Sequence, residues 1–269
     1  MSSLAPEKTF TYLQPTYAID DVDGMVKAFH EDGFALVPGV LSLAEVSSLR
    51  ASIDALKPIG FDHNSGPNHH FKNVFNQNPA FLAMIDRAPA VNVAERTHTT
   101  DCHIIGQTAW RSYPGHDGWG VHVDQLMLDL PEDVFGRPGF TLPGYVSTAH
   151  YYLSDILDTD LCPTYVVPGS HKSGRGPKPG ETSFRGKELQ PVLVKAGDML
   201  FFRGEVWHTG SKNKTADQVR YLLQVHYSRR NFAQHFSPFL SWQFNPEVLK
   251  IASARQLRLL GNHPPGAYD

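Results

Sequence analysis

The sequence predicts a mainly β fold with flanking helices (α+β): a β-sandwich or jelly roll whose N-terminal helices pack on one sheet. Three observations lead there. Apolar residues recur at helical spacing through residues 20–98; from 101 to 228 they alternate in short runs; and turn signals such as Tyr113-Pro114-Gly115, Pro168-Gly169-Ser170 and Lys195-Ala196-Gly197-Asp198 part those runs. The 269 residues, 41% apolar and 19% charged, have the composition of a globular chain with a sizeable core. An all-β unit of this length is commonly one domain, expected here over 1–269.

Residues 1–18 read as a loose arm. From Asp20 to Glu31 an acidic start, the apolar positions Val22, Met25, Val26 and Phe29, and the stop at Gly33 predict a helix turned onto a core. Phe34-Ala35-Leu36-Val37 is a short strand. Ser42 and Glu45 have capping-box spacing, and Leu43, Val46, Leu49, Ile53 and Leu56 continue it as an amphipathic helix to Lys57. Residues 58–78, rich in Gly, Pro, Asn and His, predict a long loop, which in a compact domain is functional or mobile. A third helix, broken at Pro89, runs to Arg96.

Strands are then expected at Cys102–Trp110, Gly120–Gln125, Val146–Leu153, Thr164–Val167, Pro191–Val194, Met199–Phe202, Val206–Thr209 and Val219–Tyr227. Residues 126–145 carry Pro131, Pro138, Pro143 and several glycines, too many breakers for a regular element, and predict an insertion at a site rim. In the last part, 229–269, an amphipathic helix is expected at 246–260 and a loose tail from Gly261.

A formal charge of −3 with no basic stripe argues against nucleic acid as a partner. No segment reaches the 18 or so apolar residues of a membrane span, and the N-terminus lacks the pattern of a signal peptide. Cys102 and Cys162 are too few for a disulfide framework. The expectation is a cytoplasmic protein acting on a small molecule.

Two His-x-Asp matches occur, His30-Glu31-Asp32 and His122-Val123-Asp124. His30 closes a helical pattern, where residues two apart point to nearly opposite sides, so that pair cannot close on one ion. Val121 and Val123 alternate with His122 and Asp124 as in a strand, where residues two apart share a face. His122 and Asp124 can therefore offer one nitrogen and one oxygen to the same metal. A third ligand is expected on a late strand, from His150, His171, His208, His226 or His235. His208 is the strongest, because Val206-Trp207-His208-Thr209-Gly210 follows the apolar strand Met199–Phe202. Two imidazoles and a carboxylate leave three octahedral positions open, which suits non-haem Fe(II), with a 2-oxo acid chelating through two positions and O2 taking the third. Arg220, opening the last strand, can hold the distal carboxylate of 2-oxoglutarate with bidentate geometry.

His122-x-Asp124, the segment Cys162-Pro163-Thr164-Tyr165-Val166-Val167-Pro168-Gly169-Ser170-His171-Lys172, the Gly197-Asp198 turn, His208-Thr209-Gly210-Ser211 and Arg220 occur in the order seen in the phytanoyl-CoA dioxygenase family of Fe(II)/2-oxoglutarate-dependent oxygenases. The opening Asp32-Gly33-Phe34-Ala35-Leu36-Val37-Pro38-Gly39 also resembles that family, and the resemblance covers about residues 20–228. It implies a double-stranded β-helix (a cupin-like jelly roll), iron held by His122, Asp124 and His208, 2-oxoglutarate anchored by Arg220 with Thr164 as a second contact, and release of succinate and CO2. Relatives that halogenate replace the carboxylate, so Asp124 implies oxygenation: hydroxylation first, desaturation or epoxidation as variants. Many members carry Asn-Gly where this chain has Leu161-Cys162-Pro163.

Lys72, Trp119 and Gln125 are candidates for the substrate pocket; His69 and His70 belong to the same polar stretch as Lys72. His171 is expected to hold a turn and Trp207 to sit in the core. The substrate expected from the loop 58–78 and the insertion 126–145 is a medium-sized, fairly apolar molecule such as a secondary metabolite. Two other readings stand beside this one: a non-catalytic metal-binding jelly-roll sensor, and a cupin-like metalloenzyme that does not use 2-oxoglutarate.

Overall fold

The structure, a computed structural model, describes residues 10–58, 63–125, 131–135, 137, 140, 142–234 and 243–265. Helix α1 (Val22–Glu31) is capped by Asp21, whose carboxylate accepts the Gly24 N–H at 2.9 Å, and it buries Met25, Ala28 and Phe29. Strand β1 (Phe34–Val37) leads to α2 (Leu43–Asp54), where the Ser42–Glu45 capping box forms in both directions. The segment 58–78 departs from the expected loop: it contains β2 (His63–Ser65) and β3 (Asn68–Lys72), an antiparallel hairpin. In β3 only Phe71 is fully buried, so its polar residues fit a strand that lines a cavity rather than a core.

Short helices α3 (Pro79–Leu82) and α4 (Ala90–His98) flank Pro89, where the sequence predicts the break. After β4 (His103–Ser112) comes α5 (Glu132–Phe135), one regular turn inside the stretch expected to have none; residues 126–130 of that stretch lie outside the described residues. The remaining strands are β5 (Val146–Tyr152), β6 (Thr164–Val166), β7 (Ser183–Phe184), β8 (Lys187–Glu188), β9 (Gln190–Val192), β10 (Met199–Arg203), β11 (His208–Gly210) and β12 (Arg220–Ser228). The expected C-terminal helix is two, α6 (Pro246–Ile251) and α7 (Ala254–Leu259), because Ser253 caps a fresh start by accepting the Gln256 N–H.

The large sheet has the order β1-β10-β5-β12-β4-β3-β2, and a small sheet, β11-β6-β9, faces it, while β7 and β8 form a separate pair. Alternation along the large sheet divides the core in two. Ala149, Tyr151, Phe201, Leu223 and Tyr227 point outward and join the helical residues Met25, Phe29, Val46, Val91 and Leu259 in one apolar layer. Tyr152, Leu200, Phe202 and Leu222 point inward and meet Val166 and Val192 of the small sheet. This is the jelly roll with helices on one sheet that the sequence predicts.

The described parts of the expected loose arm and tail, residues 10–18 and 261–265, are tied down, while residues 1–9 and 266–269 lie outside the described residues. Tyr12 donates to the Asp198 carboxylate at 3.0 Å, the Gln14 amide donates to the Pro191 carbonyl at 2.9 Å, and Thr16 bridges Leu36. At the other end His263 bonds the Asp101 carboxylate at 2.8 Å and the His103 ring at 2.9 Å. No described helix is long and apolar enough to cross a membrane.

Candidate metal centre

A strand is expected at Gly120–Gln125, and the structure gives this segment a single bridge, His122 to His208. That bridge is reciprocal: each residue's N–H donates to the other's carbonyl at 2.9 Å. The pairing brings the two imidazoles to one side, with ring centroids 4.5 Å apart. Two residues on, the Asp124 N–H donates to the Gly204 carbonyl at 2.9 Å, which turns the carboxylate toward both rings. The Asp124 carboxylate lies 3.5 Å from His208 Nε2 and 3.8 Å from His122 Nε2, and the ligand atoms of the three residues lie within 4.8 Å of one another.

Each imidazole is fixed by its other nitrogen. His122 Nδ1 donates to the Gly120 carbonyl at 2.8 Å and His208 Nδ1 to the Val206 carbonyl at 2.9 Å. Carbonyls only accept, so each ring in its neutral form directs an Nε2 lone pair at the Asp124 side, the tautomer a metal requires. Burial alone would raise the Asp124 carboxyl, but His208, then His226 and His122, hold it well below the usual carboxylate range. Burial likewise pulls His208 down, and Asp124 outweighs it to lift this imidazole above its ordinary value. Although 32% of the Asp124 side chain is exposed, it faces a cavity ringed by histidines, so the shift downward is the direction that stands. Two neutral nitrogens and one anionic oxygen on one face fit a hard-to-borderline divalent ion such as Fe(II).

A cavity of about 620 Å³ opens beside the three residues and runs to Arg220 at the start of β12. Arg220 is 6% exposed, its Nε has no partner among the described residues, and the Cys162 thiol, held neutral by burial, lies against it. A buried guanidinium without an acid is a site waiting for an anion. Thr164, opposite it on β6, accepts the Tyr152 hydroxyl at 3.0 Å, which leaves the threonine's own proton to donate. His116 and His150, also on this wall, are pushed toward the neutral form first by burial and next by Arg220.

Trp119 lines the same cavity, 57% exposed at its mouth. Lys72 and Gln125 line a second cavity of about 350 Å³, which shares Thr108, Asp124 and His226 with the first. Of the other third-ligand candidates, His171 bonds the His30 carbonyl at 3.1 Å and braces a turn, and His235 lies outside the described residues. His150 and His226 line the cavity without joining the ligand cluster. Trp207 is fully buried, as expected. Sequence reasoning passed over Trp110, His116 and Gln224. For Trp110 and Gln224 the one signal was a polar or aromatic residue at every second position of an otherwise apolar strand, whereas His116, in the turn after β4, carried none.

A sequence model described as phytanoyl-CoA dioxygenase (PhyH) matches residues 29–221. The chain belongs to the phytanoyl-CoA dioxygenase family. This is a family of Fe(II)- and 2-oxoglutarate-dependent dioxygenases, the enzyme class its motifs predict. The dioxygenase FrzG of a Cladobotryum species is 28% identical over 120 residues, covering 44% of this chain and 38% of that protein, so the match spans well under half of the relative. Two solved structures share the fold. The non-heme alpha-ketoglutarate-dependent carbocyclase SnoK from nogalamycin biosynthesis is 18% identical with a TM-score of 0.62, over 84% of this chain and 93% of that one. HygX from Streptomyces hygroscopicus, solved with nickel, 2-oxoglutarate and hygromycin B bound, is 21% identical with a TM-score of 0.59, over 78% of this chain and 88% of that one.

Proposed function

We propose that His122, Asp124 and His208 hold the catalytic iron of this phytanoyl-CoA dioxygenase family member, that Arg220 and Thr164 anchor 2-oxoglutarate, and that the rest of the cavity takes an uncharged, medium-sized organic molecule, a secondary metabolite, for hydroxylation. Desaturation and epoxidation are the variant outcomes. The observation that carries the reading is one cavity wall bearing both the N,N,O cluster and an arginine with no carboxylate partner among the described residues. Apart from Asp124 and Arg220, the residues lining this cavity include no carboxylate, lysine or arginine. An iron(II) ion and a dicarboxylate would offset those two charges, so a neutral substrate leaves nothing unpaired. The small molecule bound in HygX and the biosynthetic setting named for SnoK support a small secondary metabolite as the substrate, and the charge balance of the cavity supports its being uncharged.

When bound, iron with 2-oxoglutarate supplies the oxidation, in which O2 is consumed, succinate and CO2 are released and an oxygen atom is passed on. The protein's part is to arrange. The Gly120 and Val206 carbonyls hold both imidazoles in the metal-binding tautomer, Asp124 contributes the negative charge, and Arg220 fixes the far carboxylate. Leu222 on the cavity wall, with Phe202 packed behind it against His150 and His208, keeps water from the inner end of the cavity.

The test is the weak visible charge-transfer band expected when Fe(II) and 2-oxoglutarate are added without oxygen. It is expected in the wild type and lost in His122→Ala and Asp124→Ala. Arg220→Ala separates this reading from a sensor or a cupin-like enzyme: if 2-oxoglutarate binds that variant as well as the wild type, the anchor is assigned wrongly.

A further inference from the structure

The middle of the cavity wall looks generally polar, yet its hydrogen bonds are almost all spent internally. Trp110 Nε1–H can only donate, and it meets one end of the Gln224 side chain at 2.6 Å. That end must therefore be Oε1, which settles which way the amide points. Thr108 donates to the same oxygen at 2.7 Å, so both its lone pairs are used. The nitrogen end, Nε2, lies 2.6 Å from His150 Nε2. An amide nitrogen only donates, so His150 Nε2 is the acceptor and the imidazole carries its proton on Nδ1. Two N–H groups of this stretch are then left over: His150 Nδ1–H, which is buried without a partner among the described residues, and one on Gln224. The second N–H of Gln224 has no acceptor among the described residues, and its side chain is half-buried on the cavity surface. Beside it His70 stacks on Trp110 at 3.6 Å and 9°, a flat aromatic wall.

We propose that Gln224 reads the substrate: it offers one fixed N–H, next to an aromatic wall, that selects a ring-bearing molecule with an oxygen acceptor, such as a ketone or lactone carbonyl. The amide cannot turn to accept instead, because turning it would set its NH2 against the Trp110 N–H and its oxygen against the His150 lone pair. A hydroxyl or amine is bound only through its own lone pair. This deepens the functional reading above and rests on it for the word substrate, while the donor itself is a property of the fold.

The probes are a fused-ring ketone and its oxygen-free analogue, tetralone and tetralin, titrated into protein loaded with Zn(II) as a redox-silent ion, with and without 2-oxoglutarate. Comparing proteins cancels the difference in how the two probes leave water. In Gln224→Met, which keeps length but removes the donor, the tetralone-over-tetralin preference is expected to fall about five- to tenfold, the worth of one neutral hydrogen bond. In Gln224→Glu the oxygen that receives Trp110 and Thr108 is kept and the donor becomes an acceptor, so the preference falls at least as far. Nitrogen-15 spectra, with His150 assigned through its loss in His150→Phe, are expected to show the proton on Nδ1 in the wild type and on Nε2 in Gln224→Glu. An unchanged preference across the three proteins, a wild type that binds no tetralone, or a wild-type His150 protonated on Nε2 each overturns the proposal. A wild type that takes up no 2-oxoglutarate overturns the functional reading instead, and the titrations without cosubstrate then decide the donor on their own.

Discussion

Strand β12 and the segment 118–125 line the same cavity but are held in place by different means. β12 pairs with β4 from Arg220 to Ser228 and with β5 from Leu222 to Ser228, and its odd-numbered residues bury against the helices while Arg220, Leu222, Gln224 and His226 face inward. Its register, regular from Arg220 to His226, spaces the proposed anion anchor and the hydrogen-bonding residues as a ruler would. The segment 118–125 has one bridge and keeps the His122 side chain 43% exposed. A few backbone bonds to β11 and to Gly204 set its geometry, and Gly118 makes them possible. With φ at +73°, a Cβ on Gly118 would meet the Gly210 carbonyl oxygen at 2.6 Å. The global fold therefore protects Arg220, the proposed anchor, whereas the proposed metal ligands depend on local pairing.

The comparison breaks most completely at the ligands. Asp124→Ala or His208→Ala is expected to weaken Fe(II) binding more than about 100-fold, beyond what loss of a supporting bond causes, with the circular dichroism spectrum unchanged. Phe201→Ala should act in the opposite sense. Phe201 is fully buried between the large sheet and α1, so removing it is expected to destabilise by about 3–5 kcal/mol in denaturant titration, while the variant that remains folded keeps its metal affinity. Arg220→Ala is expected to raise the 2-oxoglutarate Kd about 10- to 100-fold by calorimetry, the range for a charge-assisted bond. Gly118→Ala sharpens the contrast: its left-handed backbone costs about 1–2 kcal/mol with any side chain, and Fe(II) affinity should fall more than thermal stability does. Equal losses would mean that the segment is not locally held.

The smallest effect concerns the brace beneath His208. Arg175 pairs with both oxygens of Glu181 at 2.7 and 2.8 Å and stacks over Trp207, the residue before His208. The Arg175 hydrogen bonds hold the Glu181 carboxyl at about 2 against an ordinary 4.5. A depressed folded-state pKa contributes stability above 4.5 that is lost as the pH falls toward 2. The melting-temperature gap between wild type and Glu181→Gln should therefore close over that interval. A gap that stays constant would show that the pair does not respond to acid as assigned.

His122 and Asp124 were legible because residues two apart share a face in extended chain, and His208 and Arg220 because each stands at a fixed place beside an apolar strand. The β2–β3 hairpin was not legible. Asn68, His69 and His70 carry the composition of a loop, and only a cavity lined by polar groups makes a strand of them. Gln224 was hidden for a related reason: within Arg220-Tyr221-Leu222-Leu223-Gln224-Val225 it is one polar residue in a buried strand, and its meaning lies in Trp110, Thr108 and His150, which come from other strands.

By itself the sequence determined the fold class, the two-on-one-face geometry of His122 and Asp124, and the order of the chemical residues, because these follow from local periodicity and short motifs. The tertiary structure decided that His122 pairs with His208, that Arg220 is buried beside Thr164 with no carboxylate among its recorded neighbours, and that Gln224 offers a donor and not an acceptor. Each of those depends on atoms brought together from distant parts of the chain, where hydrogen-bond direction and burial are fixed only by packing.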